Sequence, residues 1–306
     1  MAMKIGCAPC CWGVDDVKNP HLPPWRHVLA EALEAGYSGI ELGPYGYIPL
    51  DLVRKELDRQ HLSITAGTIF DDLVTPANLS NLLRQTREIC ALIKQLPQLS
   101  TQPGQRYPVP YLVVMDWGHE VRDYTAGHGD RAPRLSDSEW GTMFSHVRQI
   151  AEIARDEFGV RAVIHPHTGG YIEFADEIDR IMADIPADTV GLCLDTGHLY
   201  YSGMGPADWL RKYADRLDYV HFKDIDQATY EQVMSEHIAF FTACARGVMC
   251  PIGKGVLDYP QIKQTLEDIG YAGYITIEQE RDPRNAGTSL RDVAASRAFL
   301  ASVGFA

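Results

Sequence analysis

Eight short apolar runs, each followed by a polar loop and most by a longer segment of helical periodicity, recur along this 306-residue chain. They occupy residues 4–8, 39–42, 63–66, 111–115, 161–164, 190–194, 219–222 and 274–277. Runs this short, with little polar alternation, predict strands buried on both faces, as in a parallel sheet covered by helices. The intervening spacing predicts helices over residues 25–35, 50–60, 79–96, 138–158, 174–184 and 206–217, with a last one near 289–303. Punctuation agrees: Ser136-Asp137-Ser138-Glu139 supplies caps and first-turn acids, and Gly36, Gly159 and Gly270 stop helices just ahead of strands. Eight such units, with no Gly-x-Gly-x-x-Gly after the first strand, predict an α/β fold closed as a (β/α)8 TIM barrel rather than an open doubly wound sheet. No linker divides the chain, so residues 1–306 are expected to form a single domain.

Two stretches break the rhythm. Residues 97–110 carry four prolines and read as an irregular excursion before the fourth strand. After the seventh strand, residues 226–247 look helical and lead through Pro251-Ile252-Gly253-Lys254-Gly255 to a helix over 259–269. In a barrel this helical insertion falls at the C-terminal mouth, where lids sit and where a homo-oligomer contact can form.

Composition narrows the partners. The formal net charge is −13 and no Lys/Arg run is present, so nothing offers the basic stripe that displaces counterions from nucleic acid. The apolar runs are far too short to cross a bilayer, and Met1-Ala2-Met3-Lys4 opens no signal peptide; no membrane partner and a cytoplasmic location are expected. Seven cysteines is an odd count, and Cys7-Ala8-Pro9-Cys10 has no second Cys-x-x-Cys to complete a zinc site; packing is the simpler role.

The chemistry lies at the ends of the last four strands. The fifth ends in His165-Pro166-His167, the sixth runs into Asp195-Thr196-Gly197-His198, the seventh ends in His221-Phe222-Lys223-Asp224 and the eighth in Glu278-Gln279-Glu280. Barrel active sites form at these C-terminal ends, so the four strands would bring His, Asp, His and Glu to one point. One His at a strand end is usually structural and one Asp before Thr-Gly is usually a cap; four at consecutive strands favour a divalent-ion site. The i, i+2 spacing of His165/His167 and His221/Lys223 puts both members on one face of a strand, one for the ion and one for substrate.

The series Asp195-Thr196-Gly197-His198, His221-Phe222-Lys223-Asp224 and Ile277-Glu278 resembles the xylose-isomerase-like sugar isomerase/epimerase superfamily. In that family the corresponding Asp, His and Glu bind the metal with a fifth-strand Glu, and the His of Asp-Thr-Gly-His contacts substrate. Here His165-Pro166-His167 stands where that Glu is expected, which removes one of the two glutamates that the epimerases use on opposite faces of the substrate. Inosose (2-keto-myo-inositol) dehydratases carry a His-rich fifth strand, and the likeness to them covers nearly the whole chain. It includes Gly6-Cys7-Ala8-Pro9 with Trp12 and Asp15-Asp16, Gly39-Ile40-Glu41-Leu42-Gly43, Ser136-Asp137-Ser138-Glu139-Trp140 and Glu278-Gln279-Glu280-Arg281-Asp282-Pro283. The segment before the fourth strand and Gly43-Pro44-Tyr45-Gly46-Tyr47 depart from it and leave the substrate open.

The resemblance implies β-elimination of water from a keto-sugar or ketocyclitol. One divalent ion, Mn or Co foremost with Zn, Fe and Mg open, would be held by His165, Asp195, His221 and Glu278. His167 and Glu280 are the candidates for base and acid, with His198 or Lys223 holding substrate or donating the proton. Trp12, Glu41, Trp117 and Lys254, at or after strand ends, are candidates for lining the mouth. The rival readings are a sugar (phosphate) isomerase or ketose 3-epimerase on the same ion, a 3-keto-glycoside lyase or epimerase, and a non-catalytic sugar-binding or partner subunit. A related endonuclease is disfavoured by the acidic charge.

Overall fold

The computed structural model describes residues 3–60, 62–96, 99 and 101–305. Its strands are β1 Lys4–Cys7, β2 Gly39–Ile40, β3 Ser63–Ile64, β4 Ala66–Asp71, β5 Tyr111–Asp116, β6 Ala162–Ile164, β7 Gly191–Asp195, β8 Leu217–Phe222, β9 Asp224–Ile225, β10 Met249–Cys250 and β11 Tyr274–Ile277. Nine of them run parallel in the order β3-β2-β1-β11-β8-β7-β6-β5-β4. The two ends of that order, β3 and β4, are halves of one run interrupted at Thr65. Its N–H donates to Ile40 and its carbonyl accepts from Tyr111, both at 3.0 Å, so this run closes the sheet into a TIM barrel of eight positions among the described residues. The run is longer than its alternation suggests, because β4 pairs with β5 from Ala66↔Tyr111 to Asp71↔Asp116.

The helices are α1 Trp25–Glu34, α2 Leu50–Gln60, α3 Leu79–Gln95, α4 Glu120–Asp123, α5 Asp137–Phe158, α6 Ala175–Asp184, α7 Thr196–Tyr201, α8 Pro206–Lys212, α9 Gln227–Glu236, α10 Phe240–Ala245, α11 Tyr259–Asp268 and α12 Ser289–Ser302. The capping reading of α5 holds: Ser136 and Glu139 form a reciprocal capping box, and Gly159 ends the helix at φ 67°. Helix α8 is shorter than its apolar pattern predicts, stopping at Lys212 so that β8 can begin at Leu217. The expected insertion is two helices rather than one. His237, at φ 53°, ends α9 in the left-handed region, and the antiparallel pair β9/β10 brackets the segment. Asp224 anchors it, accepting the N–H groups of Gly253, Gly255 and Leu257 at 2.9, 3.1 and 3.1 Å. The excursion before β5 is turn and loop from Thr101 to Pro110, while Pro97 lies outside the described residues, as do Met1 and Ala2.

Strand alternation divides the core in two. Tyr111, Val113, Val163, Cys193, Tyr219 and Tyr274 fill the barrel interior. Their neighbours Leu112, Val114, Ile164, Leu192, Leu194, Val220 and Phe222 pack outward against the helices. Continuing the inward register by twos carries Val163 to His165 and His167, Cys193 to Asp195, Tyr219 to His221 and Lys223, and Tyr274 to Glu278 and Glu280. All seven cysteines are buried and free. No helix among the described residues is long and apolar enough to cross a membrane.

Candidate active site

The strand ends do converge. One donor atom from each of His165, Asp195, His221 and Glu278 lies within 4.8 Å of the other three, and all four residues are buried. Asp195 is fixed by its own helix: Oδ1 caps α7 by accepting the N–H groups of Gly197 and His198 at 2.8 and 2.9 Å. That leaves Oδ2 facing the cluster, 3.9 Å from His165 Nε2. Gly197 is required there, because a Cβ on it would collide with the Cβ of Lys223. His221 sits between two carboxylates, with Nδ1 3.0 Å from Glu278 and Nε2 2.9 Å from Glu41. Neither contact is aligned as a hydrogen bond, and both ring nitrogens of His165 also lack a partner.

Buried imidazole nitrogens without hydrogen bonds call for an explanation, and a cation is the direct one. The mixed nitrogen and oxygen set suits a divalent transition ion. Asp195, Glu278 and Glu280 surround one ammonium, Lys223, whose Nζ is 2.7 Å from Asp195 and 3.0 Å from Glu280 and also pairs with Glu278, while the carboxylates beside His221 hold its pKa well above the usual imidazole value against the pull of burial. The four residues therefore fit a metal ion.

Electrostatics separates the groups. Burial works against the ammonium of Lys223, but Asp195, Glu278 and Glu280 outweigh it and hold its pKa well above the usual value. Burial lowers His165, and lowers His167 and His198 much further, so those rings stay neutral with lone pairs free. Burial, opposed by Lys223 and reinforced by Glu278, pushes Glu280 up to about 7. The backbone N–H of Thr168 donates to His198 Nδ1 at 3.3 Å, so the neutral ring carries its proton on Nε2, which faces Glu280 Oε1 at 3.6 Å. His167, His198 and Glu280 form a second group whose donor atoms lie within 4.8 Å of one another.

Of the residues proposed to line the mouth, the structure brings two to the site. Glu41 borders the recess from below, where it also accepts the Tyr219 hydroxyl at 2.7 Å. Trp117 stacks on Phe70 with ring centroids 5.3 Å apart and meets His167 edge-on at 5.5 Å. Trp12 lies elsewhere, fully buried in the core with its indole N–H bonded to Glu31 at 2.6 Å, because the chain turns inward through Pro9–Trp12. Lys254 is exposed in the turn after Pro251 and does not border the recess. Asp15 is a residue that sequence reasoning left unassigned: it lines both the recess, with His167, Glu278 and Glu280, and a cavity of about 700 Å³ outside it. Its signal was position alone, a polar side chain in the loop after the first barrel strand. Asp72, Asp116 and His119 also cluster, but Asp116 is engaged by the N–H groups of Leu73 and Tyr171 and clamps loops together.

A family model described as the xylose isomerase-like TIM barrel matches residues 29–302. The chain belongs to that family. Among relatives of this xylose isomerase-like barrel, an inosose dehydratase of Lacticaseibacillus casei is 31% identical over 291 residues, 94% of this chain and 92% of its own. An inosose dehydratase of Geobacillus kaustophilus is 31% identical over 293 residues, 92% of this chain and 88% of its own. Among solved structures, the IOLI protein with a binding zinc atom superposes with a TM-score of 0.71 at 14% identity, covering 98% of each chain. L-ribulose 3-epimerase gives 0.68 at 17% identity, over 99% of this chain and 94% of its own. At such identities the two structures establish the shared fold. The relatives by sequence are enzymes, named as inosose dehydratases.

Proposed function

We propose that this chain is a metal-dependent lyase that enolises a small polyhydroxylated ring ketone and eliminates water from it, with an inosose-type ketocyclitol as the first substrate to test. The observation that carries the reading is the placement of His167 and Glu280. Both line the recess, and their donor atoms lie within 4.8 Å of each other. Groups so close address the same face of a bound ring, which suits removal of an α-proton and delivery of a proton to a departing β-hydroxyl. Two-base epimerisation needs proton carriers on opposite faces, and the fifth strand offers His165 where a facing glutamate would stand. The full-length similarity to inosose dehydratases supports the same reading.

His165, Asp195, His221 and Glu278 would hold the ion, with Mn or Co the first to try. Bound there, a divalent ion supplies Lewis acidity toward a ketone oxygen. His167 removes the α-proton, and Glu280 hands a proton to the leaving hydroxyl. His198 presents its Nε2–H beside Glu280 to orient that hydroxyl. Lys223 holds Asp195, Glu278 and Glu280 in place through its ammonium. The working unit is one domain, residues 1–306, acting in the cytoplasm on a small molecule; the net charge of −13 supports the exclusion of nucleic acid.

The test is to incubate Mn- or Co-loaded protein with 2-keto-myo-inositol and a panel of keto-sugars and to read product masses. A product lighter by one water is expected. A product of unchanged mass but altered retention would transfer the assignment to isomerisation or epimerisation.

A further inference from the structure

Behind the recess, one buried carboxyl group ties three segments together. Glu173 follows the loop that leaves β6 with His165 and His167, and it lines neither the recess nor the cavity outside it. Its Oε1 accepts the N–H of Gly127 at 2.7 Å and the hydroxyl of Ser202 at 2.9 Å, and its Oε2 accepts the N–H of Gly169 at 2.9 Å. Gly127 lies between α4 and α5, Gly169 lies in the loop after β6, and Ser202 ends α7, the helix that carries His198. The group itself has little freedom. Arg122 Nη2 reaches Oε2 at 3.3 Å, the same guanidinium holds both oxygens of Glu177 at 2.6 and 3.0 Å, and Glu177 accepts the N–H of Glu173 at 2.9 Å.

What this carboxyl group holds is the back of His198. Thr168 precedes Gly169, and its N–H and Oγ1 lie 3.3 and 2.9 Å from His198 Nδ1. Ser202 Oγ stands 3.5 Å from that Oγ1. With Nδ1 serving as acceptor, the ring proton sits on Nε2, the nitrogen that faces Glu280. Holding Gly169 and Ser202 on one carboxyl group keeps the loop against α7, so both donors of Thr168 stay at Nδ1. The loop has no slack on its other side, where a Cβ on Gly170 would lie 2.3 Å from the carbonyl oxygen of Asp116.

We infer that Glu173 is a positioning residue, which through Ser202, Gly169 and Thr168 fixes the orientation and the tautomer of His198 from outside the recess. What His198 then does beside Glu280 rests on the lyase reading; the state of its ring does not. Locking of a ring by a supporting hydrogen-bond shell is what keeps a site within the tolerance that chemistry demands.

Nitrogen-15 spectra of the imidazole rings in diamagnetic, zinc-loaded protein test this, with the His198 signals assigned by their loss in His198→Gln. The parent should show one tautomer, protonated on Nε2. Glu173→Gln sets an amide N–H against either the Gly169 N–H or the Gly127 N–H, whichever way it turns, and should give a mixture of tautomers. Ser202→Ala, a smaller change, should move the ring the same way and decides the matter if Glu173→Gln does not fold. For whichever ketone the parent turns over, Glu173→Gln should lower kcat about tenfold with KM and metal affinity within about twofold, and should add no further loss to His198→Gln. A parent ring protonated on Nδ1, a ring unchanged in both variants, or a further loss on top of His198→Gln overturns the assignment. The lyase reading fails separately, if no ketone loses water while the tautomer still responds to Glu173→Gln or Ser202→Ala.

Discussion

Replacing Lys223 with Met removes one charge from the centre of the site while keeping nearly the same length and volume. The ammonium is fully buried and is the only Lys or Arg group paired with Asp195, Glu278 and Glu280 among the described residues. Breaking a buried ion pair from one side typically costs about 3–5 kcal/mol, because the remaining charge stays desolvated. For a chain of this size that corresponds to a fall in melting temperature on the order of 10 °C. The loss should depend on the ion. Lys223 uses Asp195 Oδ2 and Glu278 Oε2, oxygens that the ion would also need, so the two cations share one set of carboxylates. An ion at a hundred times its dissociation constant stabilises the folded state by about 2.7 kcal/mol. Melting followed by circular dichroism, with chelator and with Mn, should show Lys223→Met strongly destabilised without metal and gaining more from Mn than the parent does. The reasoning is refuted if the chelated variant melts with the parent, or if Mn raises both melting temperatures equally.

Three other outcomes follow from the same geometry. Asp195→Ala should remove metal and turnover together, as read by elemental analysis and product mass; turnover in a metal-bound variant would sink the site. Gly197→Ala should destabilise by about 1–3 kcal/mol, since the added methyl presses on Lys223, and should weaken Mn binding in a direct titration; unchanged stability and affinity would count against that packing. Burial, opposed by Arg122, pushes Glu173 up to about 7, so the fold favours its protonated form. Its contribution is complete below the unfolded value near 4.5 and is lost as pH rises through about 7, on the order of 3 kcal/mol. Urea midpoints between pH 5 and 8 should fall more steeply for the parent than for Glu173→Gln, and equal slopes would refute the assignment.

Much of this was legible in one dimension. Alternation by twos carries Val163 to His165 and Tyr219 to His221, so a strand's apolar inward residues announce which polar residues at its end face the barrel axis. The Asp195 cap was legible too, because Asp-Thr-Gly is a local helix start. Trp12 was not: an aromatic after a first strand reads the same whether it lines a mouth or turns into the core against Glu31. Lys254, between two glycines, likewise gave no sign that its turn projects away from the recess.

The chain by itself determined the eight strand–helix units, the barrel and the four strand ends that carry His, Asp, His and Glu, since each depends on periodicity and capping within one segment. Only closure of the barrel decided that Glu41 supports His221, that Lys223 stands among three carboxylates, that His167 and Glu280 share a side, and that Asp15 borders the recess. Those facts join residues from different strands and loops, and a local pattern fixes where a side chain points from its own backbone but not what it meets there.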